Sequence, residues 1–346
     1  MVVRDPRHTR RGRTATLEMV AAAAGVSRGT ASRALNGSPN VSPRALAAVQ
    51  RAARELDYRP NLNARSLVTG RTGLVGLFFN ESDEQVFSDP YLAIVLRGAH
   101  DALSQAGAAL VLTLAADEVE RNRLFDMVAA RLDGLIVVFG HGDAMLRTGL
   151  AATGVPVVYA GRTPSIGDSD ESWVDSDSLH GAMAAVEHLL GRGRRHVVTI
   201  AGPQEMAAGL DRLAGWRHAL RAAAIDPPAE WVEVGTFLEE SGYECMTRLL
   251  SRVPDLDAVF VASDLMAMGA IRALRDAGKQ VPDDVSVVGF DDIPAAARHD
   301  PPITTVSQQV ENMGRILAET LLSRLQGEDK PQQIVLPTAL VVRASS

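Results

Sequence analysis

Residues 16–58 read TLEMVAAAAGVSRGTASRALNGSPNVSPRALAAVQRAARELDY, and they decide what the start of the chain can be. Three helix starts follow one another in this stretch. Thr16 can cap a helix through Val20 and the Ala21–Ala24 run, which Gly25 stops. Ser27 opens a second helix that ends at Asn36-Gly37. Ser42-Pro43 pairs an N-cap with proline at the first helical position of a third helix, running to about Leu56. Each cap offers an acceptor to backbone N–H groups that a first turn cannot satisfy internally. Two short helices joined by the tight Ala24-Gly25-Val26 turn, with a longer helix supporting them, describe a helix-turn-helix.

The second helix carries chemistry suited to a DNA groove. Ser27, Arg28, Gly29 and Thr30 stand at its start, with Ser32 and Arg33 one turn on. Small hydroxyls bond phosphates, and arginines reach guanine edges. Ala31, Ala34 and Leu35 would pack back on the first helix. Capped short helices also build small protein-binding modules, but the charge distribution argues for DNA. Residues 1–71 hold 13 arginines and no lysine against four acids, a net charge of +9, while the remainder carries −16 within a total of −7. A basic head on an acidic body suits a polyanion-binding module whose neighbour is kept off the nucleic acid. Residues 1–13, with five arginines among proline, histidine and glycine, read as a basic arm that is disordered when free.

The stretch from Thr16 to Leu67 resembles the headpiece and hinge of the lactose/galactose repressor (LacI/GalR) family. The resemblance rests on GVS-x-x-T-x-SR-x-LN, then VS, the LDYRPN junction and the A-R-S-L hinge. It implies a headpiece over residues 14–59, a hinge over 60–71 and an effector-binding, dimerising core over 72–346. It also implies DNA contacts from Thr16, Asn36, Tyr58, Asn61 and Ala64. Leu67 is implied to be the leucine that this family wedges between base steps of the minor groove, trading unstacking for a kinked duplex. The residues themselves show Pro60 breaking the third helix, Asn61 able to cap a short helix to Val68, and Gly70 releasing the chain.

From Thr72 onward, apolar strands alternate with helices. Runs at 74–79, 108–114, 134–139 and 155–160 form a first series, and runs at 172–177, 196–202, 231–235, 257–263 and 285–292 form a second. Continuous apolar strands of this kind argue for parallel sheets covered on both faces. The expected fold is an α/β core of two doubly wound parallel-sheet lobes behind an all-α headpiece, and the resemblance adds a likeness to periplasmic sugar-binding proteins. The lobes are expected to span 72–162 plus 308–336 and 163–307 plus 337–346.

Ligands of open parallel sheets sit beyond the carboxyl ends of the strands. There the sequence offers Asp89, Tyr91, Arg162, Arg212, Phe237, Ser263, Asp264, Asp291 and Gln308. Carboxylates and guanidinium groups bond paired hydroxyls, and an aromatic ring suits the apolar face of a sugar. Two of these residues have plainer readings: Asp264 could cap the helix that begins at Leu265, and Arg162 could be a salt bridge between lobes. The resemblance puts effector contacts on Arg212, Phe237, Asp291 and Gln308. It also shows two departures, Ser263 in place of the family's frequent asparagine and Ala208 where some sugar-binding members have serine.

No catalytic set is recognisable: H-E-x-x-H and G-x-x-x-x-G-K-[ST] are absent, and no cofactor is expected. Cys245 is the sole cysteine, which excludes an intrachain disulfide and a four-cysteine zinc site. No apolar run approaches a membrane span and the basic N-terminus lacks a secretory apolar core, so a cytoplasmic protein is expected. The expected function is a transcription regulator, a homodimer on a roughly palindromic operator, with a small effector, foremost a sugar, in the core cleft.

Overall fold

The computed structural model describes residues 15–35, 40–58, 70–79, 87–115, 117–138, 144–162, 170–328 and 330–346. The chain divides into two compact units, one ending at Thr72 and the other beginning at Gly73.

The first unit is built from α1 (Leu17–Ala23), α2 (Arg28–Leu35) and α3 (Pro43–Glu55). The expected caps are in place: Thr16 accepts from the Met19 amide at 3.4 Å, Ser27 from Thr30 at 3.1 Å and Ser42 from Ala45 at 3.3 Å. Gly25 turns the chain at φ 67°, which lets Val26 N–H reach Ala21 C=O at 3.0 Å and close the end of α1. The interior is small, made of Val20, Ala21, Ala31, Ala34, Val49 and Ala52. Alanines at the contacts bring the helices close and leave the polar face of α2 outward.

The second unit holds two six-stranded sheets. The first comprises β1 (Leu74–Phe79), β2 (Ala109–Leu114), β3 (Gly134–Val138), β4 (Val157–Ala160), β5 (Ser172–Ser176) and β11 (Gln333–Leu336), in the order β11-β5-β4-β3-β1-β2 and wholly parallel. The second comprises β6 (Val197–Ala201), β7 (Val232–Val234), β8 (Ala258–Val261), β9 (Ser286–Asp291), β10 (Thr304–Ser307) and β12 (Ala339–Val341), ordered β12-β10-β9-β8-β6-β7, with β12 antiparallel to β10. Both faces of β1 are buried: Val75, Leu77 and Phe79 join one apolar cluster and Phe78 the other. That two-sided burial is why these strands are continuous apolar runs.

The helices are α4 (Pro90–Gln105), α5 (Glu118–Arg131) and α6 (Ala144–Ala152), then α7 (Ser178–Gly191), α8 (Ala207–Ala222), α9 (Glu239–Arg252), α10 (Asp264–Asp276), α11 (Pro294–Arg298) and α12 (Val310–Leu325). Pairs of them approach at glycines. A Cβ on Gly98 of α4 would lie 2.0 Å from Glu311 C=O of α12, and one on Gly314 of α12 would lie 2.2 Å from Val95 C=O of α4. No side chain fits either position without moving backbone.

One expectation is corrected. The sequence pattern puts the strand at 172–177 in the second lobe, but β5 pairs with β4 on one side and β11 on the other, in the first sheet. The polar stretch after β4 reads in sequence as a change of lobe, yet the parallel ladder continues across it. The chain changes lobes at Asp177, since α7 packs on strands of the second sheet. The run IVLPTALVV likewise splits into β11 and β12 in different sheets, with Pro337-Thr338 as the passage. The crossings are tied together: Thr338 Oγ1 donates to Asp177 C=O at 3.1 Å, and Gln309 Nε2 to Pro337 C=O at 3.1 Å.

Candidate functional site

On α2, Ser27, Arg28, Gly29 and Arg33 are exposed while Ala31 and Ala34 are buried, so one face is held and the other presented. The presented side chains are ordered by one another. Ser27 and Thr30 hydroxyls lie 2.9 Å apart, and Arg33 Nη2 donates to Thr30 Oγ1 at 3.4 Å. Arg28 Nε lies 2.9 Å from Glu18 Oε1 of α1. Ser32 is half-buried beside them. Thr16 caps α1, and Tyr58 packs against the helix core. Asn36, Asn61, Ala64 and Leu67 lie outside the described residues.

In the second unit a cleft of about 910 Å³, solvent at its mouth included, opens beyond the carboxyl ends of both sheets. Eight of the nine core residues singled out in the sequence line it: Asp89, Tyr91, Arg162, Arg212, Phe237, Ser263, Asp291 and Gln308. Asp264 does not. It is fully buried, with Oδ1 accepting from Thr305 Oγ1 at 2.6 Å and Oδ2 from Ile293 N–H at 3.0 Å. Burial first, and then the nearby Asp291, push its carboxyl well above the usual range. Asp264 therefore ties β10 to the loop after β9, and the expectation of an effector contact there is corrected. The cap of α10 is Ser263, which accepts from Met266 N–H at 3.2 Å and donates to Phe237 C=O at 3.3 Å.

Arg212 is the centre of the cleft. Trp216, one turn later on α8, is fully buried and donates from Nε1 to Val197 C=O at 3.0 Å, which fixes the helix on β6. Arg212 is 4% exposed, and its guanidinium stacks 3.9 Å over Phe290 and 5.6 Å from the Phe237 ring. Nη1 donates to Ala262 C=O at 2.5 Å and lies 3.5 Å from Asp291 Oδ1. Its Nε is buried with no hydrogen-bond partner among the described residues. A buried donor left open costs about 1–3 kcal/mol, so the site is built to be completed by an acceptor.

Asp291 ends β9 at φ 114° and accepts from Gln308 Nε2 at 2.5 Å. Burial raises its pKa to about 7, Asp89 adding to the rise and Arg212 opposing it. Phe237 at φ 68°, Asp292 at φ 60° and Gln309 at φ 53° share this left-handed backbone around the cleft and crossings. Such strain persists where the surroundings over-determine it, typically at ligand sites. Asp292 is taken up by Arg343. On the first-sheet side, Asp89 caps α4 by accepting from Tyr91 N–H at 2.9 Å, and the Tyr91 hydroxyl donates to Met313 Sδ at 3.4 Å. Burial raises the Tyr91 pKa.

Arg162 spans the cleft. Its Nε lies 3.2 Å from Asp175 of β5, and its Nη2 meets Asp211 of α8, in the other lobe. The salt-bridge reading of Arg162 is met, and the same residue lines the cleft. Burial raises the carboxyl of Asp175, against the pull of Ser176 N–H and Arg162. The sequence reading does not single out Asp175, Asp211, Glu205 or Met206. Asp175 is legible there only as part of a strand, and Asp211 lies in the shadow of Arg212. Among the described residues no group of three or more His, Cys, Asp or Glu is placed to hold a metal ion. No helix among them is long and apolar enough to cross a membrane.

A helix-turn-helix with a ligand-sized interlobe cleft defines a class, the ligand-responsive DNA-binding regulators. Residues 16–61 match the bacterial regulatory proteins of the lacI family, and residues 186–346 match a periplasmic binding protein-like domain. The HTH-type transcriptional regulator CelR of Thermobifida fusca is 45% identical over 337 residues, 97% of this chain and 99% of that protein. A solved CelR–cellobiose complex aligns with 96% of this chain and 100% of its own at TM-score 0.77 and 43% identity. The lac repressor dimer bound to operator and the anti-inducer ONPF aligns with 96% of this chain and 99% of its own, at TM-score 0.82 and 28% identity. The chain belongs to the LacI family of bacterial regulatory proteins. It is a DNA-binding transcription regulator whose DNA binding answers to a small effector.

Proposed function

We propose that this regulator is a repressor working as a homodimer on a two-fold operator, and that its effector is a sugar, with a β-linked disaccharide such as cellobiose the first candidate. The observation that carries this reading is the open Nε of Arg212, held between Phe290 and Asp291 at the bottom of the cleft. A neutral ligand with vicinal hydroxyls completes that set, because each hydroxyl can accept from the guanidinium and donate to a carboxylate. Phe237 supplies a ring for an apolar sugar face. The likeness to a protein solved with cellobiose supports the same class.

Dimerisation follows from the size of the reading surface, since one helix-turn-helix contacts too few bases to single out a site in a genome. In this reading residues 60–71 are the hinge and Leu67 the minor-groove wedge. The Arg162–Asp211 bridge makes the effector's grip on α8 a matter for both lobes, because Asp211 adjoins Arg212. Calorimetric titration of the full chain with cellobiose, cellotriose, lactose, glucose and ribose tests the proposal. Binding of a di- or trisaccharide, with a change in operator affinity at saturation, is expected. Silence toward all of these, with binding of a nucleobase or sugar phosphate, overturns it.

A further inference from the structure

One acid stands beside the recognition helix, where basic side chains would be the simpler choice. Glu18 is the single carboxylate between Ala15 and Leu35, in the first turn of α1. It is 59% exposed, and its Oε1 lies 2.9 Å from Nε of Arg28, itself 72% exposed at the first position of α2. DNA approaches this surface with a dense array of phosphates, so a carboxylate here weakens binding to every sequence unless a donor answers it. Donors in the major groove are few, and the one that suits a glutamate is the N4 amino group of cytosine. The pairing with Arg28 runs through Nε, and the terminal nitrogens are the pair that guanine O6 and N7 accept from.

We infer that Glu18 and Arg28 form one base-reading unit in the major groove, with Arg28 on guanine and Glu18 on the amino group of an adjoining cytosine. Glu18 is ready as an acceptor: its own backbone N–H first, then the Thr16 hydroxyl and the Arg28 charge, hold its carboxyl below the usual range. Glu18 also keeps Arg28 aimed, as Thr30 does for Arg33. Specificity here is divided between two helices, and substitution on α1 should alter the sequence that is read.

The test is a selection from random duplex DNA with the full-length protein, comparing wild type with Glu18→Gln, Glu18→Ala and Arg28→Lys. Wild type should enrich a guanine–cytosine pair of positions in each half-site. Glu18→Gln and Glu18→Ala should lose the cytosine preference by about tenfold while keeping the guanine that Arg33 is expected to read. Arg28→Lys should relax the neighbouring guanine. The inference is overturned if the Glu18 variants keep the wild-type base preferences, for then Glu18 serves only the start of α1. It is overturned equally if they bind all sequences more tightly by one common factor, which would make Glu18 a uniform phosphate-repelling charge. Unchanged thermal unfolding of Glu18→Gln separates either result from a damaged headpiece.

Discussion

The headpiece and the cleft handle polar groups in opposite ways. On α2 the working side chains are exposed, contiguous in sequence and ordered by neighbours three residues away. In the cleft they are buried, come from segments as far apart as Asp89 and Gln308, and are held by backbone strain and charge. The difference follows from the ligands. DNA brings its own charge and a broad surface, so exposed arginines suffice and their affinity is screened by salt. The neutral ligand proposed for the cleft brings neither, so the protein must supply a dehydrated site in which each hydrogen bond counts for more.

The largest effect expected from this contrast is in the cleft. Arg212→Ala should weaken effector binding by about 3 kcal/mol or more, over a hundredfold, because the buried guanidinium that the ligand's oxygens would accept from is gone. Asp291→Ala should do likewise from the other side. Operator affinity without ligand should remain near wild type. Calorimetry and operator titration on both variants check this, and a parallel loss of operator binding would break the separation between the two sites.

Asp291 should also make the stability of the core depend on pH in a way that no headpiece residue does. Its folded pKa of about 7 lies above the value near 3.9 of an unfolded aspartate. Between those values the native state binds more protons than the unfolded one, so stability falls as pH rises through about 4 to 7. Asp291→Asn removes its own share of that fall, while the raised carboxyls of Asp264 and Asp175 keep theirs. Relative to wild type, the variant should gain stability across this window, on the order of a few kcal/mol, and level off above it. Urea unfolding at a series of pH values, with no effector present, measures the difference. A difference that stays flat with pH would place Asp291 in an ordinary ionised state.

On the headpiece the expected effect is smaller. Arg33→Ala should cost ~1–3 kcal/mol on the operator and much less on random DNA. Equal losses on both would reduce Arg33 to a phosphate contact, and the headpiece would then read less than its exposed face suggests.

The same contrast explains what is legible in the sequence. Caps, the Gly25 turn and the arginines of α2 are local features, and each stands where the sequence puts it. Strand runs are legible because two-sided burial writes itself as continuous apolar sequence. What escapes the sequence is what depends on long-range pairing. The residues around β5 do not say which sheet will accept it, and the DSD of residues 175–177 divides its roles among the cleft, the strand end and the cap of α7. Asp264 stands at the right place on a strand–helix junction, but burial and Thr305 claim it. The cross-cleft partner of Arg162 could not be chosen from sequence, since any acid on the facing lobe would serve.

That partner gives the smallest and most informative measurement. Arg162 and Asp211 are 42% and 19% exposed, so their ion pair is screened and worth no more than about 1 kcal/mol in stability. Arg162 also holds Asp175, and loss of the arginine leaves that largely buried carboxylate without its cation. Asp211→Asn is therefore the cleaner break, because it removes the link between lobes and leaves Arg162 on Asp175. The bridge joins a first-lobe loop to the helix that carries Arg212, and it biases the lobes toward the arrangement in which both lobes line one site. Breaking it should weaken effector binding by about 0.5–1 kcal/mol, two- to fivefold, although every side chain that lines the cleft is retained. A double-mutant cycle with Arg162→Ala should give a coupling of the same size, larger at low ionic strength. If effector affinity is unchanged in Asp211→Asn, the two residues meet without holding the lobes, and the cleft closes on ligand contacts alone.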